Sequence, residues 1–316
     1  MSLLLPENHK YYVERVVKRT KKYISFDLWD NVDLSSFNRW LENFQTDQEQ
    51  YLAALLLDKI VYKNELSIQS SLHKMFHITL PNILDKYKIY EQTDLIEWEN
   101  ELRYPNQKEP LPFKFSTITS EKELGDSGSD YMRRLRRYYL VNRELLIRID
   151  SENASDIKAL IIIDDIIASG EQVKTFIEAN CEHINKYRYV IFMPLLAHVN
   201  GIQQINDKVK KLVHTEKLIA NNILIEPVEL MDELSSFFYS SKADQKIDTI
   251  NTVDDIKLMY KEIMQKKLPQ WTIDTLFGYG DLGMLLLLSS GIPDNTLPII
   301  HSSNKDTEWM ALYEKF

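Results

Sequence analysis

Ala159-Leu160-Ile161-Ile162-Ile163-Asp164-Asp165-Ile166-Ile167-Ala168-Ser169-Gly170-Glu171-Gln172 is the stretch that decides the fold of this chain. From Ala159 to Ile163 it is an unbroken apolar run of strand length, rich in β-branched isoleucine, as expected of a strand buried on both faces. Two acids, Asp164 and Asp165, stand where that strand is expected to end. A helix is expected over 172–179. In open α/β sheets ligands bind at the carboxyl ends of the strands. Small residues let the backbone approach a phosphate, and the free N–H groups at a helix start favour an anion. Adjacent carboxylates suit a ribose diol or a hydrated Mg²⁺ ion. The local chemistry therefore describes a ligand with a phosphate at one end and sugar hydroxyls in the middle. Two other readings of the residues stay open: terminal acids that are merely solvated, and an acidic Mg²⁺ pocket of the receiver type.

Outward from this stretch the same alternation continues. Strands are expected over 113–118, 189–195 and 223–228, and helices over 131–142 and 201–212. Strand–helix–strand alternation predicts an α/β fold with a mainly parallel sheet. The first hundred residues carry a different period. Phe37, Trp40, Leu41 and Phe44 follow helical spacing, with Ser35 or Ser36 as a cap, and Thr46-Asp47-Gln48-Glu49 is a capping box opening the next helix. A further helix is expected over 67–76, with Pro81 marking a break. Residues 104–110 look like a connecting loop, so the expected division is a helical N-terminal region, 1–105, and an α/β domain, 106–316.

The order apolar run, two acids, two apolar residues, Ala168-Ser169-Gly170 resembles the 5-phosphoribosyl-1-pyrophosphate loop of type I phosphoribosyltransferases. The resemblance implies that Asp164 and Asp165 form the catalytic pair on the ribose 2- and 3-hydroxyls. It implies that Ala168, Ser169, Gly170, Glu171 and Gln172 wrap the 5-phosphate, and that Mg²⁺ accompanies the pyrophosphate. Type I enzymes usually continue with Gly, Lys or Arg and then Thr or Ser. Here Glu171-Gln172 follows: the Gln172 amide can still donate, but Glu171 brings negative charge near a dianion, which argues against ordinary turnover unless that side chain points away. A second cluster, Leu124-Gly125-Asp126-Ser127-Gly128-Ser129-Asp130, precedes Arg133, Arg134, Arg136 and Arg137. Ser127, Gly128 and Ser129 can form an anion nest with Arg133 a turn further on, or a plain serine cap on a solvated arginine helix. In type I enzymes the equivalent loop holds the pyrophosphate.

Near the C-terminus, Phe277-Gly278-Tyr279-Gly280-Asp281 and Pro293-Asp294-Asn295-Thr296-Leu297-Pro298 form a glycine-rich stretch and a rigid turn. With the acid-pair loop and the Trp40 helix, they make the chain resemble a phosphoribosyltransferase-like family of bacterial conflict systems. Members are encoded beside anti-phage defence genes, including some retron operons. The resemblance implies a sensor or effector that binds a phosphoribosyl or nucleotide ligand, with Gly278, Gly280 and Asn295 lining its pocket. A defence-operon protein or a ribonucleoprotein would be its partner, and homo-oligomerisation is left open. The alternative it implies is an active Mg²⁺-dependent phosphoribosyltransferase acting on a base or nucleotide.

Composition bounds these readings. The 316 residues hold 38 Lys+Arg against 47 Asp+Glu, a net charge of −9. That excess argues against sequence-blind nucleic-acid binding over the whole surface and leaves room for a local basic patch. The Lys18, Arg19, Lys21 and Lys22 run is such a patch, fit for nucleic acid, an acidic partner or plain solvent. The single cysteine, Cys181, excludes an intrachain disulfide and fits a reducing, cytoplasmic setting. No membrane association is expected, since no apolar run approaches the ~18 residues a spanning helix needs. His73 and His77 stand at i, i+4, a spacing zinc can use, but Lys74 occupies the position where a metalloprotease motif needs Glu.

Overall fold

The computed structural model describes residues 3–92, 94–106, 108–118, 127–150, 157–219, 222–238, 248, 250–269 and 271–314. Its helices are α1 (His9–Ser25), α2 (Leu34–Glu42), α3 (Asp47–Lys59), α4 (Glu65–Lys74), α5 (Leu80–Lys86), α6 (Leu95–Arg103) and α7 (Ser127–Tyr138). They continue with α8 (Glu171–Ala179), α9 (Cys181–Ile184), α10 (Val199–His214), α11 (Val253–Lys267), α12 (Trp271–Asp274) and α13 (Pro298–His301). The strands are β1 (Val61–Lys63), β2 (Phe113–Thr117), β3 (Ala159–Ile167), β4 (Tyr189–His198), β5 (Ile223–Ile225), β6 (Glu229–Met231) and β7 (Leu286–Leu288). Contacts group the chain into two units, 1–67 with 233–316, and 68–232. Residue 105 lies inside the second unit, between α6 and β2.

The second unit holds the expected parallel sheet, in the order β2-β3-β4-β5, with β6 also beside β4 and every pairing parallel. The strand expected over 223–228 is instead two. β5 and β6 keep one register against β4, Val190 opposite Ile223 and Leu196 opposite Glu229, so they form a single edge line broken at Pro227. Pro227 has no N–H to give the ladder, and edge strands are where a sheet tolerates that. The N–H groups on either side still bond, Glu226 to the Phe192 carbonyl at 2.9 Å and Val228 to the Pro194 carbonyl at 3.0 Å. On one face Leu160, Ile162, Val190 and Phe192 pack with Val173 and Phe176 of α8 and Ile205 and Leu212 of α10. On the other, Phe113 and Phe115 meet the rings of Tyr90, Trp98 and Phe76, with centroids 5.8–6.0 Å apart. The helices of 68–105 thus supply part of this unit's aromatic core.

Pro81 does not end a helix. α4 passes through a π-helical turn, Met75–Thr79, directly into α5, and the Leu80 N–H reaches back five residues to the Met75 carbonyl. The wider turn puts Pro81 in the first turn of α5, where its missing N–H costs no hydrogen bond.

The first unit joins the two ends of the chain. Trp40, Leu52 and Leu56 are fully buried with Ile256, Tyr260 and Met264 of α11 and with Leu297 and Ile299. The Trp40 indole N–H donates to the Ile299 carbonyl at 3.0 Å. β1 and β7 pair in parallel, Val61 opposite Leu286. The Thr46–Glu49 capping box forms as expected, with each side chain bonding the other's backbone N–H. Asp248 accepts from the N–H groups of Ile250 and Asn251 and from the Tyr51 hydroxyl, while Asn251 brackets Leu4 through its N–H and carbonyl.

Candidate functional site

Asp164 and Asp165 do not follow the strand; they lie within it. β3 runs on to Ile167, four residues beyond its last pairing with β2 at Ile163. β4 accompanies it throughout, to the Ile167–Ala197 pair. The ladder skips one position, Asp165 opposite Leu195. The side-chain alternation slips at the same place. The buried cluster under α8 and α10 takes Leu160 and Ile162 and next Ile167 from β3, and Val190, Phe192 and next Ala197 from β4. An odd step of five cannot arise in an unbroken pleat, where one face repeats every second residue. The acids lie at the slip, and on β3 they take up local backbone donors. The Asp165 N–H donates to Asp164 Oδ1 at 3.0 Å, and the Ile166 N–H donates to Asp165 Oδ1 at 2.7 Å. Side chains that take up neighbouring backbone donors compete with the ladder. Asp164 is buried and Asp165 half-buried.

The chain then turns through Ala168, Ser169 and Gly170 into α8. Gly170 caps the helix with φ +78°, a left-handed conformation that favours glycine. A Cβ there would stand 2.7 Å from the Gly201 carbonyl oxygen, and one on Gly201 would stand 2.2 Å from the Ala168 carbonyl oxygen. The loop after β3 and the first turn of α10 therefore touch backbone to backbone through two glycines. Packing within the fold already requires Gly170, whatever ligand it meets. Gly201, which sequence reasoning placed only as a helix start, is its necessary partner. His198, buried at the end of β4, caps α10 by accepting the Asn200 N–H on Nδ1 at 3.2 Å. The starts of α8 and α10 thus share the carboxyl edge of the sheet.

Glu171 and Gln172 open α8 as exposed residues. The Glu171 carboxylate is held by Lys174, one turn along the same helix, with Nζ 2.5 Å from Oε1. Its charge is therefore offset and drawn along the helix, away from the loop. Lys174 was not singled out in the sequence. The signal was present as an i, i+3 pair of opposite charge, one spacing at which helix side chains meet.

Topology brings α7 to the same edge, since it follows β2 and precedes the parallel strand β3. Ser127, Gly128 and Ser129 form its first turn. Their side chains, like residues 124–126, lie outside the described residues. Asp130 holds Arg134 at 2.7 Å and Arg133 at 3.4 Å, so the basic helix begins with its own acid partly neutralising it. The helix starts a turn earlier than expected and ends at Tyr138. Asn142, expected in it, instead caps a short 3₁₀ turn, Arg143–Leu145.

Gly278, Gly280 and Asn295 belong to the first unit. Gly278 has φ +75°, and a Cβ on it would stand 2.3 Å from the Asn295 carbonyl oxygen. The Asn295 side-chain amide donates to the Tyr279 carbonyl at 2.5 Å, so these residues knot two loops together. His73 and His77 stack with ring centroids 4.2 Å apart, and His77 Nε2 lies 2.9 Å from Glu99 Oε1.

No curated protein matches the chain. A solved structure, "Structure of AQ2163 protein from Aquifex aeolicus", is similar at 10% identity and a TM-score of 0.29, covering 63% of this chain and 85% of that one. The model of the family described as PRTase-CE matches residues 37–315, which includes the acid-pair loop, α7 and the C-terminal turn. The chain belongs to this phosphoribosyltransferase-like family, PRTase-CE.

Proposed function

We propose that the carboxyl edge of the sheet in residues 68–232 binds a phosphoribosyl or nucleotide ligand, and that the chain serves as a sensor or effector in a bacterial anti-phage defence system. One observation carries the binding reading: the acid pair sits at a break in the ladder of a central strand and leads through Gly170 into the start of α8. A ribose lying over Asp164 and Asp165 would give its hydroxyls charged acceptors, which make stronger hydrogen bonds than neutral ones. Its 5-phosphate would meet the amides of Ala168, Ser169, Gly170, Glu171 and Gln172 and the positive end of the α8 dipole. A pyrophosphate would lie toward Ser127, Gly128, Ser129 and Arg133. The hard carboxylate oxygens of the acid pair fit Mg²⁺ shared with ligand phosphates. When bound, Mg²⁺ supplies positive charge to the pyrophosphate oxygens. The defence role, with an operon-encoded protein or ribonucleoprotein as partner, rests on the sequence resemblance.

A second reading, turnover as a phosphoribosyltransferase, draws support from the Glu171–Lys174 pair, which weakens the electrostatic objection to a phosphate at this loop. The acid pair would hold the ribose while charge develops at its anomeric carbon, and Arg133 would stabilise the departing pyrophosphate. Calorimetric titration of phosphoribosyl pyrophosphate with Mg²⁺ tests the site. Wild type should bind, and Asp164→Asn/Asp165→Asn should lose at least about tenfold in affinity, ~1.4 kcal/mol. A folded wild type that binds neither this ligand nor a nucleotide, alone or with its operon partners, would sink the reading. Release of pyrophosphate with added bases separates turnover from sensing. Phage plating on cells carrying the operon, with and without the double substitution, tests the defence role.

A further inference from the structure

α1 precedes residue 37, where the family match begins, so nothing in the family assignment accounts for it. Its inner face is committed to the core of its unit through Val16, Thr20 and Ile24. The outer face carries Tyr11, Arg15, Lys18 and Lys22 and, at the cap position, Phe26, at steps of four, three, four and four residues. At about 100° per residue these five fall within an arc of roughly 80° and extend over about 22 Å of helix. All five are exposed, Tyr11 by 63% and Phe26 by 71%.

The three cations in this row make no ion pair among the described residues. Their neighbours off the row do: Arg19 is held by Asp58 at 2.6 Å, and Lys10 lies 3.5 Å from Asp47. Glu14, the acid of this helix, stands about 40° outside the arc, four residues before Lys18, and makes no ion pair with it among the described residues. The result is a line of unspent positive charge with an exposed aromatic ring at each end. Arg15, Lys18 and Lys22 follow at rises of about 4.5 and 6 Å. A single strand of nucleic acid presents complementary features, a row of phosphates and bases whose faces stack on aromatic side chains. A peptide of acidic side chains alone would use the cations and leave the rings idle. An anionic bilayer would need an apolar stripe along the helix, and that stripe faces the core. The net charge of −9 argues against binding over the whole surface, so such an interaction needs a local basic patch of this kind.

We propose that the outer face of α1 is a docking surface for single-stranded nucleic acid. The test is fluorescence anisotropy of a labelled single strand of roughly 20 nucleotides with the full chain, at several salt concentrations. Each phosphate contact on a single strand contributes about −0.7 to the slope of log K against log salt, so three contacts predict a slope near −2. Arg15→Ala/Lys18→Ala/Lys22→Ala should flatten that slope and cost at least about tenfold at low salt. Phe26→Ala should cost about fivefold or more through lost stacking. All these positions are exposed, and an unchanged circular-dichroism melt verifies that the variants fold. The proposal is overturned if wild type fails to bind the strand or if the triple variant binds as well as wild type. It is equally overturned if polyglutamate or phosphatidylserine vesicles bind as tightly with the same triple-variant loss, which would assign the face to an acidic protein or a membrane.

Discussion

At the scale of single residues, the candidate site depends on atoms that sequence alone does not bring together. Gly201 is the clearest case. Its missing Cβ lets α10 approach the Ala168 carbonyl, and a Cβ there would be 2.2 Å from that oxygen. Gly201→Ala is expected to destabilise the protein by about 1–3 kcal/mol, an overpacking cost, and to weaken ligand binding by displacing the loop. A thermal melt with a calorimetric titration checks both; an unchanged melt would contradict the close packing. Asp248 gives a pH signature in the other unit. Burial pushes its carboxyl up, but the Asn251 N–H and side-chain amide, the Ile250 N–H and the Tyr51 hydroxyl outweigh burial and hold it below the ordinary carboxylate range. A depressed folded pKa gives stability that is present above the unfolded value of about 3.9 and lost as pH falls through the folded value. Asp248→Asn should therefore be less stable than wild type at neutral pH. The two should converge in strong acid, as measured by denaturant titrations at both pH values.

At the scale of elements, the phosphate site proposed at the start of α8 makes charge there testable. Glu171 and Lys174 form a pair on one turn, so the two substitutions have opposite expected signs. Glu171→Gln should tighten phosphate binding by up to about fivefold, the size of a charge at a helix end. Lys174→Met, leaving Glu171 uncompensated, should weaken it by a similar factor. If both changes leave titration with phosphoribosyl pyrophosphate unaltered, the phosphate does not sit at this helix start. Element boundaries show what sequence patterns register. The capping box at Thr46–Glu49 and the isoleucine run at 161–163 involve only neighbours, and both formed where expected. Pro81 misled because its effect depends on the helix turn before it, and a π turn removes the need for its N–H.

At the scale of the whole chain, the first unit exists only if residues 233–316 return to residues 1–67. Trp40 is fully buried and bonded to Ile299, 259 residues away in sequence. Trp40→Ala is expected to cost about 3–5 kcal/mol, the usual range for emptying a buried aromatic site. A chain ending at Asp232 should expose the apolar faces of α2 and α3, bind a hydrophobic dye and lose the part of the melt that belongs to the first unit, while residues 68–232 keep theirs. A monodisperse truncated chain that binds no dye and melts with the full wild-type amplitude would overturn this account of the core.

The sequence by itself determined the kind of fold and singled out the stretch proposed as the site. The alternation of apolar strands and amphipathic helices, and the acid pair followed by Ala168-Ser169-Gly170, are local patterns, and local patterns survive without knowledge of neighbours. Only the tertiary structure decided that β3 continues through both acids, because the partner strand β4 extends alongside it while β2 stops at Thr117. Only the tertiary structure joined Gly170 to Gly201, and placed Phe76 and Trp98 on the sheet while sending Trp40 to the C-terminal segment. Each of these depends on which apolar surfaces meet. Burial is favourable in proportion to area and has no direction, so a sequence pattern marks a face as apolar without naming the face that covers it.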